Sequence, residues 1–227
     1  MKRLILWDID GTLINTGRSY DEHLLFRRLG RDLPEHDIAF AGKTDPQIMR
    51  ELLIHAGTDN VDDVLPLALR ELERLVRLNQ PRMRVEGTIM PGVIAALQAF
   101  AKEPRVAQTV LTGNLAAAAQ LKLETFGLDA WLDSTQGATG SDHEDRRSLV
   151  PVALRRASAH FGHAFTAEET WIIGDARGDY ECAAAAGAHC LLVRTSIHRG
   201  IDHDGCEPDA IFEDLTDTDA VVKLVLA

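Results

Sequence analysis

Residues 3–12 read Arg-Leu-Ile-Leu-Trp-Asp-Ile-Asp-Gly-Thr: a short apolar run, Arg3 to Trp7, that ends on Asp8, repeats the acid at Asp10 and breaks at Gly11. A run this short, apolar throughout and free of breakers, predicts a strand buried on both faces. Similar runs recur at 107–111 (AQTVL), 170–173 (TWII) and 189–193 (HCLLV), with a shorter one at 210–212 (AIF). Helical patterns lie between them, at 92–102 after Pro91, at 115–126 ending at Gly127, at 148–161, and at 179–186 ending at Gly187. Proline at a helix start and glycine just past its end are the expected punctuation. Strands alternating with helices of this length predict an α/β fold, a doubly wound, Rossmann-like parallel sheet covered on both faces.

Residues 15–82 break the alternation. They show helical patterning at 20–29, at 46–56 and at 61–78, and no convincing strand. Asp45 is the expected N-cap of the second helix, with Pro46 at its first position and Gly57 as its stop. The domain expectation is a catalytic core of residues 1–14 and 83–227 with a small helical cap, 15–82, inserted after the first strand.

Composition narrows the function. The chain has 227 residues, 24 Lys and Arg against 35 Asp and Glu, and a net charge of −11. Such a surface repels a nucleic-acid backbone, so no nucleic-acid partner is expected. It repels a phosphorylated metabolite as well, so any phosphate site must be made positive locally. No apolar run approaches the roughly 18 residues of a membrane span, and none forms a secretory h-region. Cys182, Cys190 and Cys206 form no C-x-x-C pair. Both features point to a soluble protein of a reducing, cytoplasmic compartment. The oligomeric state is open.

Ligands of an open parallel sheet bind at the carboxyl ends of its strands. Four segments fall there: Asp8 to Thr12, Thr112-Gly113-Asn114, the approach to a helix around Arg146, and Gly174 to Asp179. Asp8 and Asp10, two apart in extended chain, face the same way and repel each other unless a cation intervenes. Asp175 brings a third carboxylate. Such hard oxygen donors suit Mg2+ held together with a substrate phosphate. A carboxylate can attack phosphorus, and a second can protonate the leaving alcohol and later activate water. Thr112, Gly113 and Asn114, between a strand and a helix, offer a hydroxyl and backbone N–H groups to phosphate oxygens. Arg146, or Arg147 beside it, would add fixed positive charge.

These motifs, D-x-D-G-T at 8–12, T-G-N at 112–114, a basic position near 146 and G-D-x-x-x-D at 174–179, resemble the haloacid dehalogenase-like hydrolase superfamily over essentially the whole chain. The resemblance is to its phosphoglycolate-phosphatase-like branch, whose cap loop is similar to Gly42-Lys-Thr-Asp45. It implies an Mg2+-dependent phosphatase of a small phosphorylated metabolite, working through an aspartyl-phosphate. Asp8 is then the nucleophile and a metal ligand. Asp10 is the acid and base, with its backbone carbonyl on the metal. Thr112 binds the phosphoryl group, Asp175 ligates Mg2+ and Asp179 supports it. Gly113, Asn114 and Lys43 are candidate substrate contacts, and Arg18, Tyr20 and His23 candidate residues of the mouth. Many relatives place Lys in a K-P-x-P context where this chain has Asp145-Arg146-Arg147-Ser148. Two other activities fit the same motifs, a sugar-phosphate mutase of the β-phosphoglucomutase kind and a phosphonoacetaldehyde-type hydrolase using Lys43. Carbon–halogen cleavage does not, because it has no leaving oxygen for Asp10 to protonate.

Three further features are read as ordinary structure. Gly42-Lys43-Thr44 lacks the glycine five positions earlier that a phosphate loop needs. His160 and His163 face solvent near a helix end. The run from His198 to Cys206, though rich in donor types, is a loop.

Overall fold

The computed structural model describes residues 2–17, 19–195, 203 and 205–227. Five strands, β1 (Arg3–Trp7), β4 (Val106–Val110), β5 (Thr170–Gly174), β6 (His189–Val193) and β7 (Ala210–Phe212), form one sheet in the order β4-β1-β5-β6-β7. All four pairings are parallel, with Leu4 opposite both Ala107 and Thr170. Alternate side chains divide the core between the faces. Ile5, Trp7, Ile173, Leu191 and Val193 pack on one side with Val93, Phe100, Leu123 and Val221 from helices α4 (Val93–Lys102), α5 (Ala116–Phe126) and α8 (Thr218–Leu226). Leu4, Leu6, Ile172 and Leu192 pack on the other with Leu149, Ala153 and Cys182 from α6 (Leu149–Phe161) and α7 (Arg177–Ala186). Helices on both faces make the sheet doubly wound. Trp7 is fully buried, and its indole N–H donates to Gln108 Oε1 at 3.2 Å. Trp171 is also core, while Trp131 is only partly buried against it. No helix is long and apolar enough to cross a membrane among the described residues.

The insert consists of α1 (Glu22–Arg28), α2 (Asp45–His55) and α3 (Val61–Glu86), with their own apolar cluster. Phe26, Met49, Leu52 and Leu72 are almost wholly buried in it. Each such side chain contributes roughly 1.5–3 kcal/mol of burial. The cluster does not close on itself: Leu115, Ala118 and Leu121, at the start of and along α5, complete it.

Three local expectations need correction. Thr44, not Asp45, caps α2, accepting a hydrogen bond from Gln47 N at 3.2 Å. Asp45 is freed for another task, described below. Helix α3 runs past Leu78, through Pro81 to Glu86. Proline removes one helical hydrogen bond, but tertiary contacts hold this turn: Met83 is fully buried and Gln80 donates to Thr125 on α5 at 3.0 Å. Finally, β2 (Ile14–Asn15) and β3 (Thr88–Ile89) form an antiparallel ribbon where the chain leaves and re-enters the sheet unit. Two residues a side are too few to show a period of two.

Candidate active site

Strands β1, β4 and β5 lie side by side, and the residues just beyond their carboxyl ends deliver the motif side chains to one cleft. Asp8 follows β1 and is 5 % exposed. Arg146 Nη2 donates to Asp8 Oδ1 at 2.7 Å and to Asp179 Oδ1 at 2.5 Å. Asp145 caps the short 3-10 turn 146–148 that aims Arg146 inward. Arg147 points out instead, its side chain 63 % exposed and paired with Asp145. Asp179 lies in the first turn of α7 and is fully buried, its other oxygen accepting from Ala176 N at 3.0 Å. Asp175, immediately after β5, is 2 % exposed and accepts from Thr12 Oγ1 at 3.3 Å.

Gly11 makes the approach of Asp175 feasible. Its φ is +87°, and a Cβ there would stand 2.3 Å from Asp175 Oδ2. Any other residue would both strain the backbone and displace the carboxylate.

Asp8, Asp175 and Asp179 each bring a carboxylate oxygen within 4.8 Å of the others. One guanidinium faces three acids. Burial, the dominant influence, pushes the Asp8 carboxyl well above the usual carboxylate range; Arg146 opposes this, and Asp179 and Asp175 add to it. The cluster is therefore short of positive charge, and its hard, buried oxygens are compatible with a divalent cation. The side chain of Asp10 is not part of this cluster.

Asp10 is held elsewhere. Lys122 Nζ donates to its two oxygens at 2.8 and 2.6 Å, Asn114 Nδ2 to Oδ2 at 2.7 Å, and Thr16 Oγ1 to Oδ1 at 3.3 Å. Lys122 also donates to Asn114 Oδ1 at 2.6 Å. Asn114 in turn donates to Thr112 Oγ1 at 2.7 Å, leaving the hydroxyl hydrogen of this fully buried threonine for an acceptor in the cleft. Lys122 is the residue the motif reading did not foresee. It carries a signal of its own, a lysine between Leu121 and Leu123 in a helix otherwise rich in Ala and Leu, with all three side chains buried. A charge at a core position is the local conflict expected of a functional site.

The loop at residues 42–45 closes over these groups. Asp45 N donates to Gly113 O at 2.7 Å, Asp45 Oδ2 accepts from Leu115 N at 2.8 Å, and Thr44 Oγ1 donates to Glu144 O at 2.6 Å. The fit is tight: a Cβ on Gly113 would lie 2.1 Å from Lys43 O. Lys43 itself is bound to Glu51 at 2.5 Å. A cleft of about 330 Å3 remains. Its floor is Asp8, Asp10, Thr112, Asn114, Arg146 and Asp175; its roof includes Tyr20, Phe40, Lys43, Ile48, Leu72 and Val76. His23 is exposed and absent from the lining, and Arg18 lies outside the described residues. So do His198, Asp202 and Asp204, while His203 Nε2 donates to the Asp175 carbonyl at 2.8 Å. His163 is half-buried and paired with Glu169 rather than free in solvent, and His160 is exposed.

Burial, foremost, and nearby Asp45, Glu22 and Asp10 keep the Tyr20 phenol far above its usual range, so it stays neutral. Asp45 is pushed up to about 6, mainly by burial, with Lys122 and the Leu115 N–H opposing. Its ionisation thus costs more in the fold than in the unfolded chain. Its contribution to stability is fully present below the ordinary carboxyl value of 3.8 and is lost as pH rises from there through about 6. Asp45→Asn keeps the acceptor for Leu115 and should remove that decline. Urea melts from pH 4 to 8 should show the variant gaining on wild type by about 1–2 kcal/mol at the upper end, allowing for solvent screening of a partly exposed carboxyl. A constant difference across pH would contradict the assignment.

A family model described as haloacid dehalogenase-like hydrolase matches residues 5–184. The probable phosphatase IndB of Dickeya dadantii is 25% identical over 218 residues, 94% of this chain and 90% of that protein. Among solved structures, CbbY from Rhodobacter sphaeroides in complex with phosphate superposes with a TM-score of 0.71 at 16% identity, covering 96% of each chain. A predicted phosphoglycolate phosphatase from Haemophilus somnus gives 0.69 at 20% identity, covering 97% of this chain and 98% of its own.

Proposed function

We propose that this chain, which belongs to the haloacid dehalogenase-like hydrolase family, is a phosphatase that hydrolyses a small phosphomonoester through a phosphorylated Asp8. The observation that carries the reading is the division of labour between two aspartates. Asp8 sits against Arg146 and two further carboxylates. Asp10, two residues on, is excluded from that cluster and turned into a separate cage of Lys122, Asn114 and Thr16. This arrangement supports a role for one carboxylate in receiving a phosphoryl group and for the other in handling protons. The likeness to a probable phosphatase agrees with this.

In the first step the Asp8 carboxylate attacks phosphorus while Arg146 and the Thr112 hydroxyl hold phosphoryl oxygens. Asp10, protonated, gives its proton to the departing alcohol oxygen. In the second step Asp10, now a carboxylate, takes a proton from the water that attacks the phosphorus of aspartyl-phosphate, releasing phosphate and restoring Asp8. Asp8 and Asp175, backed by Asp179 and joined by the Asp10 backbone carbonyl, would hold Mg2+, which supplies positive charge against the phosphoryl oxygens when bound. The helical insert, α1 to α3, acts as the cap that shields the site from bulk water. Phosphate release from a panel of phosphomonoesters, with Mg2+ and with chelator, tests the reading. Release that needs the metal supports it. Release that continues unchanged in chelator refutes the metal requirement, and conversion of glucose 1-phosphate to glucose 6-phosphate without release would favour a mutase.

Lys122 positions Asp10 in this scheme. Lys122→Met should lower kcat on the order of 100-fold, since small misplacements of a reacting group cost about that much. KM should move far less, because Lys122 grips Asp10 rather than the phosphoryl group. A variant whose KM rises while kcat holds would assign Lys122 to substrate binding instead.

A further inference from the structure

The cleft contains more acids than its chemistry uses. Among the described residues, three lining side chains are cationic, Lys43, Lys122 and Arg146, and every one is already committed. Lys43 is paired with Glu51, Lys122 with Asp10, and Arg146 with Asp8 and Asp179. The phosphoryl group engages the floor, where Arg146 lies. On the cap side the remaining charged walls are Glu22 and Asp45, both acidic. Asp45 cannot swing aside, because its carboxylate accepts from Leu115 N and its own N–H is bound to Gly113. Phe40, Ile48, Leu72 and Val76 give the same side of the cleft apolar lining.

Building on the phosphatase reading, we propose that the alcohol half of the substrate bears no second anionic group. It is an uncharged or cationic, partly apolar alcohol whose donors face Glu22 and Asp45. The cleft volume of about 330 Å3 suits a metabolite rather than a polymer, being at the lower end of the ~300–1,000 Å3 of small-molecule sites. A carboxylate at this place would meet two like charges, and like-charge juxtaposition is strongly discriminating. Recruiting Lys43 to it would weaken its ion pair with Glu51 and leave that carboxylate with only the neutral Gln47 amide as a partner. The same shortage disfavours a bisphosphate spanning the cleft.

The test uses pairs matched in size and differing in charge: ethylene glycol monophosphate against 2-phosphoglycolate, and glycerol 3-phosphate against 3-phosphoglycerate. For wild type with Mg2+, kcat/KM should favour the uncharged member of each pair by about tenfold or more. In Asp45→Asn the preference should shrink several-fold, mainly through KM of the anionic member. Calorimetry on Asp8→Asn with Mg2+ and the same four compounds reads the discrimination without turnover. A chain silent toward every ester therefore counts against the phosphatase reading, while the affinity ratio still decides this one. Equal or better use of the carboxylates overturns the proposal, as does the absence of binding by all four compounds. So does a carboxylate preference that vanishes in Arg18→Ala, which would reveal a cation serving the cap side.

Discussion

Asp8→Asn is expected to reduce phosphate release by roughly 10^4–10^6-fold, the scale on which removal of a covalent nucleophile acts. The amide is nearly the same size, so the cleft keeps its shape, but its nitrogen and neutral oxygen cannot bond to phosphorus. Folding should survive. Asp8 is buried among Asp175 and Asp179, and its ionisation is opposed mainly by burial. Losing that charge relieves repulsion, while Arg146 keeps its bond to Asp179. Melting without metal should therefore stay close to wild type. Stabilisation by Mg2+ should shrink, because a cation that favours the fold by RT ln(1 + [L]/Kd) loses a charged ligand and so binds more weakly. A variant turning over within about tenfold of wild type would rule out attack by Asp8. Normal folding with lost turnover and a reduced Mg2+ shift would locate the chemistry and the cation at the same carboxylate.

Much of this architecture was legible because it depends on local signals. Each sheet strand was a short apolar run, and the glycines at 127 and 187 that were expected to stop helices adopt the left-handed conformation that ends α5 and α7. Asp8, Thr112 and Asp175 were visible because the end of a buried strand is a fixed address. What escaped depends on long-range partners. Whether Arg146 or Arg147 turns inward is set by a single 3-10 turn, and neighbouring arginines look alike in a sequence. The continuation of α3 through Pro81 follows from its docking on α5, which overrides local propensity. Lys122 was missed for a related reason. Its partner Asp10 is 112 residues away, and only the sheet order, which puts β1 beside β4, brings the helix after β4 next to the loop after β1. Asp45 looked like a cap because proline follows it, yet Thr44 reaches Gln47 and leaves Asp45 to clasp Leu115 on the other unit.

Arg146→Met should be the most destabilising single change in the site. Its side chain is only 8% exposed and faces Asp8 and Asp179, at 8% and 0%. Methionine fills much of the volume and removes the only guanidinium that the described residues place among the buried acids. Breaking a buried ion pair by deleting one partner costs about 3–5 kcal/mol, because the stranded charge must be protonated or rehydrated. Mg2+ should recover part of that loss, about 2.7 kcal/mol if present at 100 times its Kd. The variant should therefore respond more steeply to metal than wild type does, and chemical melts with and without Mg2+ measure the difference. Arg146→Lys separates charge from shape. The hydrogen bonds from Arg146 to the two acids come from the same atom, Nη2, so the forked geometry that usually sets arginine apart is not what joins them. A lysine ammonium has three donors and can replace that atom if its stem reaches. Lysine should then restore most of the stability and part of the activity that methionine loses. If the lysine variant is as unstable as the methionine one, reach and planarity matter here more than charge, and the guanidinium has a role that a single positive point cannot fill.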